Sequence, residues 1–140
     1  DLRDIGRVEG HYHPDMTPYA WIDLPGYAVG VDTMGSRRIA FVACGTAGVQ
    51  VVDFSDTSNV RVIGSYTTGG YAKEVAYKNR RLYVTTELRG LQILSVGNPA
   101  APRLVGVIDT EYALGLAVDQ HHVYVADEVE GLIVIAIPPY

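Results

Sequence analysis

Cysteine is almost missing from this sequence. A single residue, Cys44, among 140 excludes an internal disulfide and leaves the redox compartment undecided. Long apolar runs are missing too. The longest, "GLIVIAI" at Gly131–Ile137, is strand-sized and falls well short of the ~18 to 20 residues that a membrane span requires. Cations are in deficit: 11 Lys and Arg stand against 16 Asp and Glu, for a net charge of −5. That balance argues against a nucleic-acid binder, which tracks phosphates with clustered Lys and Arg. No phosphate loop, nucleophile elbow, metalloprotease helix or Cys-x-x-Cys pair occurs. The first residues carry no targeting pattern and open with Asp1, so the chain is expected to be processed or excised from something longer.

What is present is a folded composition, 48% hydrophobic and 19% charged, and a sentence written three times. "GVQVVDFSDTSNVRVIG" runs from Gly48 to Gly64, "GLQILSVGNPAAPRLVG" from Gly90 to Gly106, and "GLIVIAI" from Gly131 to Ile137. The spacing of about 42 residues, with several short strands per unit, is that of propeller blades. Each unit opens with a tyrosine and a first strand ("YAVGVD", "YAKEVAY", "YALGLAV"), followed by a polar turn ("TMGSRR", "KNRR", "DQHH"). The second strands, "IAFVA", "LYVTT" and "VYVAD", are rich in β-branched and aromatic residues. A short loop then ends in Gly48, Gly90 or Gly131, as the left-handed position of a hairpin requires. Third strands follow ("VQVVDF", "LQILSV", "LIVIAI"), and fourth strands are expected at "VIGSYT" and "LVGVID", with Tyr19–Asp23 as a divergent earlier copy.

The third strands carry most weight. "LIVIAI" at Leu132–Ile137 is apolar at every position, as a strand is when both of its faces are covered. Sheets stacked radially cover both faces of each blade. The expected fold is therefore all-β: a propeller segment of three four-stranded blades at about 19–66, 67–108 and 109–140. Residues 1–18 form an N-terminal segment, read as the remnant of a preceding blade because "DIGRVEG" looks like a degraded third strand.

The repeated residues resemble the LVIVD repeat, a β-propeller repeat of bacterial and archaeal proteins, many of them secreted or cell-surface. "VYVAD" at Val123–Asp127 with "GLIVIAI", and the two longer copies, carry the resemblance over about Tyr19–Pro139. Departures are Thr57 and Val60, where the motif prefers proline, and Cys44 and Thr86, where the third copy has Asp127. "RRLYVTTE" at Arg80–Glu87 makes the YVTN propellers the second choice. The resemblance implies the fold and a secreted or surface location, and no reaction.

Three blades leave strand edges and sheet faces open. The expected partners are therefore further blades in the same parent chain, or a second copy giving a six-bladed homodimer with Tyr19–Asp23 completing the sheet of Gly131–Ile137. A protein or glycan partner is compatible with the fold; a nucleic acid, a cofactor and a membrane span are not expected.

Candidate ligand-binding residues fall on the rim formed by the loops between second and third strands and by the inter-blade loops. They are Glu87, Arg89, Asp109, Glu111, Asp127, Glu128 and Glu130, a set for which a cationic or polyhydroxyl partner is conceivable, although a solvated acidic rim that aids solubility is the better account. Glu74 stands in an innermost strand where the other copies have Gly30 and Gly115, and is expected to face the channel. Tyr27, Tyr71 and Tyr112 precede the innermost strands as an aromatic lip, for packing or for stacking on a glycan. Histidine pairs at His11–His13 and His121–His122 are too few to define a metal site, and Cys44 is expected to be a small buried thiol. The leading function is a non-catalytic interaction or scaffold module. The alternative is a ligand- or glycan-binding, or hydrolytic, propeller with Glu74 and Asp127 at its channel mouth.

Overall fold

A computed structural model describes residues 18–138, together with the backbone of 7–8 and 11–12. Strands β1 (Arg7–Val8) and β2 (His11–Tyr12) pair with each other as a two-residue ladder. The remainder of the N-terminal segment, including His13, lies outside the described residues.

From residue 30 onward the chain folds into three antiparallel sheets in sequence order. The first blade is β3 (Gly30–Thr33), β4 (Ile39–Ala43), β5 (Val49–Asp53) and β6 (Arg61–Tyr66). The second is β7 (Glu74–Lys78), β8 (Arg81–Thr85), β9 (Leu91–Ser95) and β10 (Arg103–Ile108). The third has three strands, β11 (Ala113–Val118), β12 (His122–Asp127) and β13 (Gly131–Ala136). The repeat and the all-β reading hold, but the third blade lacks a fourth strand among the described residues.

The first- and second-strand hairpins and the second- and third-strand hairpins form because β-branched residues flank short turns that accept positive φ. Gly48, Gly90 and Gly131 sit at φ 77°, 72° and 83°, where a Cβ would meet the following carbonyl. Both finished fourth strands carry a bulge, between the partners of Val51 and Val52 and between Leu104 and Gly106. That shared irregularity bends the outermost strand in the same way in both blades.

The blades stack face to face. In the first seam Phe41, Val49 and Val51 from blade one meet Val75, Leu82, Val84 and Leu94 from blade two. In the second, Tyr83 and Leu91 meet Val123 and Val125, with Ile133, Ile135 and Ile137 packed against them. Strands β5 and β9 are thus covered on both faces, as the apolar third-strand pattern requires. In β13 the burial alternates instead: Ile133 and Ile135 face blade two, while Leu132 and Val134 remain 68% and 53% exposed.

Tyr19–Asp23 is not a strand. Ile22 and Leu24 lie instead across the outer face of blade one, against Val42, Cys44 and Val52. The apolar residues that suggested an outer strand thus cover a sheet face rather than extend a sheet edge.

Near the axis the innermost strands β3, β7 and β11 approach one another closely. Gly30 has no room for a side chain: a Cβ there would stand 2.6 Å from the Lys73 carbonyl oxygen. Gly30→Ala is therefore expected to cost about 2 kcal/mol by overpacking, read as a lowered urea midpoint at unchanged m-value.

Among the described residues no helix is long and apolar enough to cross a membrane.

Candidate functional site

The upper end of the arc carries the loops between second and third strands and the inter-blade linkers. It is built from backbone bridges that the loop residues make across each seam. Gly45 and Ala72 exchange two amide–carbonyl bonds of 3.0 Å, and Glu87 and Ala113 repeat the arrangement at 3.1 and 3.2 Å. The ring of Tyr71 lies against Gly45, about 2.9 Å from where a Cβ would stand. At the equivalent seam the Tyr112 hydroxyl donates to Glu87 Oε2 at 2.9 Å. That bond, with burial and the Glu87 charge, raises the Tyr112 phenol above its ordinary value. Two of the three lip tyrosines therefore latch one blade to the one before it. Tyr27 differs, being 74% exposed.

The loop-closing position is solved in three ways. Cys44 is buried and its amide donates to the Gly48 carbonyl; burial pushes its thiol above the ordinary range. Thr86 makes the same amide bond to the Gly90 carbonyl and adds a hydroxyl donation of 2.7 Å to it. Asp127 closes its loop by accepting the amides of Val129 (2.8 Å) and Glu130 (2.7 Å) at Oδ1, and that of Tyr112 (2.8 Å) at Oδ2. Burial opposes ionisation, and these amides outweigh it, holding the carboxyl below the usual carboxylate range. The carboxylate is taken up by its own loop at Oδ1 and by the linker into β11 at Oδ2.

The other rim residues are divided in the same manner. Glu130 Oε1 accepts the Glu111 amide at 3.0 Å, bracing the linker into blade three. The stem of Arg89 lies over Gly70. Asp109, Glu111, Glu128 and Arg89 are exposed. Glu74 is half-buried at the start of β7, opposite Thr85 in the β7–β8 ladder, with Gly30 and Gly115 at the same place in the other blades. The structure thus gathers Glu87, Tyr112, Asp127, Glu130 and Glu111 around the second seam and leaves Tyr27 on the far blade.

Two cross-blade bonds involve residues that the repeat did not single out. Thr85, fully buried, accepts the Glu74 amide (3.1 Å) and donates to the Leu114 carbonyl (3.0 Å), joining blades two and three. Asp32 Oδ2 accepts the Tyr77 amide at 2.7 Å, joining blades one and two. Thr85→Val is expected to cost about 1–2 kcal/mol by leaving two backbone groups short of a partner, measured by chemical denaturation.

At the opposite, lower end, Asp119 accepts the amides of His121 (2.9 Å) and His122 (2.8 Å) and the Tyr124 hydroxyl (2.7 Å). The Tyr124 bond first, then the two amides, bring its carboxyl down to about 2. A depressed folded-state value stabilises the protein above the unfolded value near 3.8 and loses that contribution as pH falls through about 2. The urea midpoint of Asp119→Asn should therefore fall less than that of the parent protein between about pH 4 and pH 2. Identical profiles would remove Asp119 from that transition.

Among the described residues no group of three or more His, Cys, Asp or Glu is placed to hold a metal ion.

Comparison with known proteins agrees with this geometry. No curated protein matches the sequence. A family model described as the LVIVD repeat matches three times in succession, over residues 25–68, 69–110 and 112–137, each match covering one of the sheets. With the matches spanning most of its length and falling blade by blade, the chain belongs to the LVIVD-repeat family.

Proposed function

We propose that this chain is a non-catalytic interaction or scaffold module, a propeller arc whose third blade is covered by a further sheet when the module is at work. The observation that carries the proposal is the contrast between its two seams. In the first seam the turn between β9 and β10 closes the outer side, with Pro99 buried and the Pro99 and Ala100 carbonyls against Gly64 of β6. In the second seam a cavity of about 330 Å³ opens among Tyr83, Leu91, Ile93, Ile108, Ile135 and Ile137. On the other face of β13, Leu132 and Val134 present an apolar surface to solvent. A sheet laid on blade three would bury that face, and a fourth strand would complete its edge. Further blades of the same kind, or a second copy, have the required shape. Against a hydrolytic reading, Asp127 is committed to three backbone amides and Glu87 to Tyr112. A secreted or cell-surface location, which the family resemblance supports, belongs to the same proposal.

Light scattering across a concentration series tests the proposal on the 15.2 kDa chain. The expected result is association to at least twice that mass. A single copy that stays monomeric at high concentration would overturn it.

A further inference from the structure

The charges of this acidic chain are sorted by end. Arg37, Arg38, Arg61, Lys78, Arg80 and Arg103 are all exposed, and all lie at the lower end. Arg37 and Arg38 belong to the β3–β4 turn, Lys78 and Arg80 to the β7–β8 turn, and Arg61 and Arg103 open the fourth strands. Three carboxylates share this end of blades one and two, and each is engaged. Asp32 takes the Tyr77 amide, Asp56 takes the Ser58 amide, and Asp53 lies 3.9 Å from Arg61 while accepting the Ser55 amide. Blade three ends the cationic surface, because its turn carries Asp119. The exposed acids of the upper rim, Asp109, Glu111, Glu128 and Glu130, stand at the opposite end, mostly on blade three.

Between the two basic turns runs a cleft of about 560 Å³, walled by Arg37 and Arg80 and floored by Met34, Tyr77 and Val96. Arg80 also borders a second hollow of about 530 Å³ beside Ser95. An apolar floor between guanidinium walls matches an apolar side chain flanked by carboxylates. Backbone conformation adds a second observation. Arg80 sits at φ 66° directly after Asn79 at φ 54°, a two-residue turn for which Asn-Gly is the favoured pair. Arginine there is held in a conformation that glycine adopts without strain.

We infer that the lower face of blades one and two docks an acidic polypeptide segment, with an apolar side chain seated between Arg37 and Arg80. A short segment fits better than a long polyanion. Screening confines the attraction to about 8–10 Å at physiological salt, whereas a long sulfated or nucleic-acid chain would extend toward an acidic molecule. The inference does not depend on how the edge of blade three is covered.

The test uses the full chain and a fluorescein-labelled peptide, Glu-Glu-Leu-Glu-Glu-Leu-Glu-Glu, followed by anisotropy. Saturable binding is expected, weakened about tenfold by Arg37→Glu and again by raising the salt concentration. Arg80→Gly gives the sharper reading: it should preserve or raise the melting temperature while weakening the peptide about tenfold. Glu111→Lys, at the other end, should leave binding unchanged. The inference is overturned by absence of saturable binding, by indifference to both arginine substitutions, or by equal affinity for a peptide with serine in place of leucine. Tighter binding of a heparin oligosaccharide or an oligothymidylate would also overturn it, naming a different class of partner.

Discussion

Replacing Phe41 by alanine is expected to lower the unfolding free energy by about 4 kcal/mol. The ring is fully buried in the seam between blades one and two and stacks on Tyr77 with a centroid separation of 5.5 Å and an interplanar angle of 15°. Its strand, β4, is bonded on both sides, to β3 and β5, so the surrounding backbone has little freedom to collapse into the space left behind. Loss of the aromatic pair adds to the transfer and cavity costs. Phe41→Leu, which keeps much of the volume, should cost under about 1.5 kcal/mol. Equilibrium urea unfolding distinguishes the two. A loss of under about 1 kcal/mol for the alanine variant would place Phe41 outside a tightly packed seam.

The second large effect concerns β13 and depends on residue parity. Leu132→Lys combined with Val134→Lys should change the stability of the single copy by less than about 1 kcal/mol, because both side chains already face water. The same pair should weaken association at that face by about a hundredfold, since it places charges where an incoming sheet must pack. Ile133→Ala with Ile135→Ala should do the reverse. These residues pack into the second seam, and their truncation should cost about 2 kcal/mol or more each, with the outward apolar face intact. Equal effects from the two pairs would mean that β13 has no distinct inner and outer face.

The repeat was legible because backbone geometry wrote it. Gly48, Gly90 and Gly131 stand where φ must be positive, and the β-branched second strands leave little else for those segments to become. The reading of "LIVIAI" was half correct in a physically informative way. Its composition suits a strand covered on both faces, yet the described residues cover only one. The outward face, Leu132 and Val134, is the one that the proposed further sheet would cover. Tyr19–Asp23 misled because short apolar segments serve equally as an outer strand or as a cover for a sheet face; only the position of Val42 and Val52 opposite Ile22 decides between them.

Less of the candidate site was legible. Glu87, Asp127 and Glu130 look like an open acidic rim in sequence, whereas both oxygens of Asp127 and one oxygen each of Glu87 and Glu130 are taken up by backbone amides and the Tyr112 hydroxyl. For Asp127 a signal was available: an aspartate three residues before a loop's end is suited to capping the turn it opens. For Thr85 and Asp32 none was, because their partners Leu114 and Tyr77 are 29 and 45 residues away. The charge sorting also escaped composition, which averages a cationic lower end with an acidic upper one.

Residue-resolved amide hydrogen exchange tests most directly whether the apolar third strands are held between neighbouring sheets. In dilute, single-copy protein the amides of β5 and β9 should exchange slowest, at rates set by global unfolding. In β13 only alternate amides, those directed at β12, should be protected, and the outward set should become protected as concentration rises. Exchange in β5 and β9 as fast as in the surrounding loops would contradict the stacked arrangement, and with it both the fold and the open face proposed for blade three.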